Sequence, residues 1–181
     1  EDVQSGIKVP IDLVICENCT LVQQCYSAPQ EFLYSQNYWY RSGVTETMKK
    51  QLQDITSSIF DEVQMTVDDV ILDIGANDGT MLSFVRDKCI TVGIDPAKNL
   101  FKSLEKNCDY GSNSFWNALA YSKLAEANGL PKPKVVTAIG MFYDLEDPIT
   151  FVRDIAKTMH DDGIFVAQLM TLEPMLEKND L

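Results

Sequence analysis

An open, doubly wound α/β domain with a mostly parallel sheet is the fold class this sequence predicts, on three observations. Short, continuous apolar runs recur at VILDI (70–74), ITVGI (90–94), VVTAI (135–139) and IFVAQL (164–169). Such runs are expected of strands buried on both faces of a parallel sheet. Helix-like segments separate them, which is the alternation of an α/β domain. A glycine-bounded turn, GANDG (75–79), follows the first run, at the place where sheets of this kind bind ligands.

Residues 1–41 read differently from the rest. IDLVICENCTLVQQ holds two short β-type runs, Ile11 to Ile15 and Thr20 to Gln24, joined at a C-E-N-C turn, so a small appended hairpin is predicted. An aromatic cluster, YSQNYWYRS (34–42), comes next. Residues 42–66 are a connecting helix, with Val44, Met48, Leu52, Ile55 and Ile59 recurring at steps of three or four. The ligand-binding core occupies 67–181. Within it, helices are predicted over Thr80 to Asp87, Pro96 to Asn107 and Pro148 to Met159, the last with Pro at its start and Lys157 and His160 near its end, where a cation suits the helix dipole. A weak fifth strand falls near Cys108 to Tyr110. Cys89 and Cys108 read as buried small apolar side chains.

Composition narrows the function. With 27 Asp plus Glu against 15 Lys plus Arg, the chain of 181 residues carries a formal net charge of −12. That charge repels phosphate backbones, so no nucleic-acid partner is expected. A small cationic or zwitterionic ligand suits it better. No apolar run is long enough to span a bilayer and no signal-peptide pattern opens the chain, so no membrane partner is expected and the cytoplasm is the expected location. Five cysteines, an odd count with only Cys16 and Cys19 patterned, argue against a disulfide framework.

The glycine turn discriminates between ligands. Gly75 can adopt positive φ and leaves a ligand's path clear. The dinucleotide fingerprint G-x-G-x-x-G needs a second glycine where a pyrophosphate approaches, and Asn77 stands there instead. A phosphate-binding P-loop fails because Gly79 is followed by Thr80 and Met81. What remains is Asp73 before the turn and Asp95 at the end of the next strand, about 20 residues on, the spacing at which an acid meets ribose hydroxyls. Asp73 can accept from an ammonium group. S-adenosylmethionine (SAM) offers a ribose, an ammonium and a sulfonium. Asp95 has a second reading, as a cap starting the next helix before Pro96.

DIGANDG followed by GIDP resembles the cofactor motifs of class I SAM-dependent methyltransferases, whose sheet is Rossmann-like. PIDLVICENCTLVQ, NYWYRSG, AIGMFYDLEDP and GIFVAQ further resemble one branch, the sugar C-methyltransferase-like family, in which a small zinc-binding domain precedes the core. The resemblance implies cofactor contacts at Asp73, Gly75, Ala76, Asn77, Asp78, Gly79, Asp95, Pro96 and Met141, and a small-molecule acceptor such as a nucleotide-linked deoxysugar. It also implies seven strands, a zinc site of two C-x-x-C pairs and a catalytic histidine and glutamate beyond the last strand. Here only Cys16 and Cys19 are present, with Cys25 as a third thiol, so half of a zinc site is expected. The chain reads as truncated at both ends, and its sheet as incomplete.

The aromatic cluster admits two readings. It packs as a hinge, or a tyrosine hydroxyl and Arg41 reach the carboxylate of SAM, since arginine pairs with carboxylates bidentately. Tyr143, after the fourth strand when the weak one is counted, stands where relatives often have histidine; Tyr38, Tyr40 and Tyr143 are the catalytic candidates. His160 reads as a capping residue. Two other classes remain open: a dinucleotide-binding oxidoreductase and a noncatalytic SAM- or zinc-binding module.

Overall fold

The computed structural model describes residues 8–170 together with Glu173, Glu177 and Lys178. A two-stranded antiparallel hairpin, β1 (Leu13–Ile15) and β2 (Val22–Gln24), is followed by the short helix α1 (Gln30–Tyr34) and the long helix α2 (Glu46–Glu62). Then come β3 (Val70–Ile74), α3 (Thr80–Ser83), β4 (Ile90–Ile94), α4 (Phe101–Asn107), β5 (Tyr110–Ser112), α5 (Ala118–Asn128), β6 (Val135–Ile139), α6 (Pro148–Thr158) and β7 (Ile164–Gln168). The five later strands form one parallel sheet in the order β5-β4-β3-β6-β7. The four strong apolar runs and the weak one therefore make up this sheet. Among the described residues no helix is long and apolar enough to cross a membrane.

Alternation along the strands builds a layer on each face. Val70, Leu72 and Ile74 face one side with Val92 and Ile94, packed against Tyr121 of α5 and Phe151 and Ile155 of α6. Ile71 and Val135 face the other, against Ile59 of α2, Leu82, Val85 and Leu104. The chain runs from β3 outward to β4 and β5, then returns across β3 to β6. Strand order thus reverses between β3 and β6, and the crevice above that switch is where open α/β sheets hold ligands.

Several helix boundaries differ from expectation. α2 starts at Glu46 because Thr45 accepts the Met48 N–H as its cap, which leaves Val44 exposed. The expected helix over 80–87 ends at Ser83; tighter bonds from Phe84 to Met81 and Val85 to Leu82 turn the chain so that Val85 is buried. The expected helix from Pro96 begins at Phe101. Its would-be first turn spends its N–H groups elsewhere, Ala97 on the Asp95 carboxylate and Lys98 on Ser35 O. Asp95 consequently caps no helix. The weak strand lies two residues later than expected, pairing Tyr110 with Val92. Helix α5, absent from the sequence reading, is bounded by Asn117, which accepts the Ala120 N–H, and by Gly129 at φ 66°. His160 lies in the turn after α6, its Nδ1 accepting the Asp162 N–H, while Met159 supplies the C-cap.

Candidate functional site

β3 delivers Asp73 to the switch point. The residue is 4% exposed, and its Oδ1 accepts the Thr137 hydroxyl from β6 at 2.6 Å. Its Oδ2 has no partner among the described residues and is not a sealed, orphaned atom, so it opens to the cleft that Asp73 lines. Burial pushes the Asp73 carboxyl up to about 7, against the Thr137 bond and with the Asp95 charge adding to the rise.

The turn after β3 is built from left-handed residues: Gly75 at φ 73°, Asn77 at 55° and Gly79 at 76°. A Cβ on Gly75 would lie 3.0 Å from Met141 Cγ, so Met141, following β6, closes over the turn. Asp95 follows β4 directly and ties this turn to its own: Oδ2 accepts the Asn77 N–H at 2.7 Å and Oδ1 the Ala97 N–H at 2.8 Å. Burial raises its pKa, opposed by those two donors. Each carboxylate oxygen retains a second lone pair.

These groups line one cleft of about 410 Å³. Asp73, Gly75, Ala76, Asn77, Asp95, Pro96 and Met141 form one side. Tyr38, Tyr40 and Tyr143 line it as well, together with Tyr34 and Asp144. Asp78 and Gly79 lie outside this lining, as does Arg41, which is exposed although its neighbours Tyr40 and Ser42 belong to the wall. The acidic side chains in the lining are Asp73, Asp95 and Asp144, and among the described residues it contains no Lys, Arg or His.

The tyrosines form a second electrostatic group. Tyr34 and Tyr38 meet edge to face at 5.8 Å. Burial, with the Asp144 carboxylate beside it, pushes the Tyr34 phenol up to about 12. Tyr38 and Tyr143 are raised for the same reasons. Burial raises Asp144 as well, with the neighbouring Tyr34 phenol opposing the rise.

Several residues here escaped the sequence reading. Asn99 makes a reciprocal amide pair with Tyr38, donating to Tyr38 O at 2.9 Å and accepting Tyr38 N–H at 3.0 Å; nothing in its local sequence marks it. Phe115 and Trp116 line the cleft, and Trp116 packs edge to face on Phe151 at 6.3 Å; an aromatic pair within the polar stretch SNSFWN was the available signal.

Cys16 and Cys19 flank the hairpin turn, which is closed by Thr20 N–H to Cys16 O at 2.9 Å. The backbone N–H groups of Cys19 and Asn18 hold the Cys16 thiol below its usual range, as suits a thiolate ligand. Among the described residues no three His, Cys, Asp or Glu side chains cluster as a metal site, so Cys25 does not join the pair. Cys89 and Cys108 are buried, as expected.

A family model described as "Methyltransferase domain" matches residues 44–179. No curated protein matches the chain significantly. Among solved structures, the plantazolicin methyltransferase BpumL, in complex with a pentazolic desmethylPZN analog and SAH, is 15% identical over 76% of this chain and 53% of its own, with a TM-score of 0.55. The plantazolicin methyltransferase BamL, with a triazolic analog and SAH, is 18% identical over 66% and 46%, at a TM-score of 0.51. A SAM-dependent methyltransferase from Thiobacillus denitrificans bound to S-adenosyl-L-homocysteine (SAH) is 14% identical over 71% and 53%, at 0.47. The chain spans about half the length of these three proteins. With the family model covering everything from the approach to α2 through β7, and the parallel sheet bearing its glycine turn at the switch point, the chain belongs to the methyltransferase-domain family, in the class I SAM-dependent fold.

Proposed function

We propose that this chain binds SAM in the cleft and transfers its methyl group to a small-molecule acceptor, a nucleotide-linked deoxysugar carbon being the finer reading suggested by the sequence resemblance. The observation that carries the proposal is the pair Asp73 and Asp95 at the carboxyl ends of adjacent strands, bracketing a left-handed turn in which a Cβ on Gly75 would crowd Met141. The open Asp73 oxygen accepts from the ammonium group. The spare lone pairs of Asp95 accept from the ribose hydroxyls. Gly75, Ala76 and Asn77 present backbone, Pro96 and Met141 supply apolar wall, and Asp78 and Gly79 shape the turn from behind. Arg41, on the outer side, is left the carboxylate end.

SAM supplies an electrophilic methyl whose departing sulfur takes the bonding pair. The protein's part is alignment of acceptor and methyl, which accounts for roughly 7 to 11 kcal/mol of such barriers. Tyr38, Tyr40 and Tyr143 face the acceptor. Because the phenols of Tyr38 and Tyr143 are raised, they stay protonated and orient the acceptor by donating hydrogen bonds. With three acidic side chains and no Lys, Arg or His in the lining among the described residues, any phosphates of the acceptor rest outside it. In this reading residues 1–41 are part of a zinc-binding domain with Cys16 and Cys19 as half of its ligands, 42–66 connect, and 67–181 form the core.

Calorimetric titration with SAM, SAH and NAD tests the assignment. SAM and SAH bind and NAD does not; tighter binding of NAD than of SAM overturns it.

A further inference from the structure

The segment from Tyr34 to Gly43 lines the cleft as a strap, and its fastenings are side-chain to backbone hydrogen bonds and one backbone pair. Asn77 Oδ1 accepts the Ser42 N–H at 3.0 Å, and its Nδ2 donates to Tyr40 O at 3.2 Å. Asp78 Oδ2 accepts the Gly43 N–H at 3.0 Å. Asn99 pairs with both backbone groups of Tyr38, and Lys98 N–H reaches Ser35 O at 3.1 Å. Each anchor belongs to one of two loops, the turn that follows Asp73 and β3 and the loop after β4 that begins with Asp95. The approach is close, for a Cβ on Gly43 would lie 2.5 Å from Thr80 Oγ1. Side-chain burial supplies only part of the hold, since Tyr34, Tyr38 and Tyr40 are half-buried whereas Trp39 is 86% exposed and Arg41 is exposed. The strap nevertheless supplies Tyr34, Tyr38, Trp39, Tyr40 and Ser42 to the cleft wall.

We propose that Asn77, Asp78 and Asn99 are positioning residues that fasten this strap over the cofactor cleft, so that cofactor enters and leaves by unfastening it. The inference rests on the SAM-binding reading above. Asn77 is the joint: its backbone N–H is held by Asp95, while both polar atoms of its side chain are committed to the strap. Its side chain therefore acts through the strap rather than by touching the ligand. Ligand bound against Asp95 steadies the turn, and the turn steadies the strap.

The test combines stopped-flow release of SAH with amide hydrogen exchange. Asn77→Gly deletes the side chain while keeping the positive φ available; Asn99→Ala cuts the second fastening away from the glycine turn. SAH protects the amides of residues 35–43 in the parent. Each variant releases SAH about tenfold faster, from the loss of a pair of hydrogen bonds, with little change in association and with faster exchange over 35–43. Parent-like release and exchange in folded variants overturn the proposal while leaving the SAM assignment intact. Failure of the parent itself to bind SAM or SAH overturns the assignment and the strap's role with it. Should Asn77→Gly not fold, Asn99→Ala decides alone.

Discussion

The hydroxyl of Thr137 lies 2.6 Å from Asp73 Oδ1, linking β6 to β3 at the reversal of strand order. One oxygen of the carboxylate is thereby fixed by the fold and the other is left to the cleft. The same contact steadies a charge that burial disfavours.

Binding of SAM should depend on pH through this group. An Asp73 that titrates at about 7 must be ionised to meet an ammonium, so SAM affinity rises as pH rises through 7. Asp73→Asn flattens the profile. Calorimetry across pH 5.5 to 8.5 measures it, and an unchanged slope in the variant rejects the contact.

The same shift has a consequence for folding. The folded pKa is raised above the unfolded value of about 3.9, so the folded protein binds the proton more tightly. The Asp73 contribution is fully present below about pH 4 and is lost as pH rises towards 7. Between those limits Asp73→Asn should show a shallower fall in denaturation midpoint than the parent.

Asp95→Ala should weaken SAM binding by about 1.5 to 3 kcal/mol, the range for hydrogen bonds to a charged group. Since Asp95 also holds the Asn77 and Ala97 N–H groups, the thermal midpoint drops as well. Asp95→Asn keeps one acceptor oxygen and separates the two effects. Parent-like affinity in a folded Asp95→Ala protein counts against the ribose role.

Gly75→Ala places a Cβ at positive φ and against Met141. Backbone strain alone costs about 1 to 2 kcal/mol, and cofactor binding should fall more than stability. Leu72→Ala provides the contrast: fully buried in the sheet, it should cost about 2 to 5 kcal/mol of stability. At a temperature where that variant remains folded, its SAM affinity should match the parent's.

β3, β4 and β6 were legible residue for residue, because strands covered on both faces read as short, mostly apolar runs. Asp73 and Asp95 were legible because strand ends fix where a side chain can meet a ligand. Helix α5 was hidden by composition: Tyr121 is its buried residue, whereas Leu119 is 60% exposed, so its periodicity is faint. The late start of α4 could not be read locally, since the N–H that leaves the helix finds Ser35, far back in the chain. The strap's anchors were invisible for the same reason: Asn77 and Asp78 read as turn residues and cofactor contacts, and their partners on the strap lie 35 or more positions away.

The charge inventory of the cleft bears on turnover. SAM carries a net positive charge at neutral pH and SAH carries none, so methyl transfer removes the charge that a wall of carboxylates attracts. Under the proposed assignment, the acidic lining of Asp73, Asp95 and Asp144, with no Lys, Arg or His among the described residues that form it, favours the reactant over the spent product. Chemistry itself then loosens the grip, limiting product inhibition, and added salt narrows the difference between the two affinities.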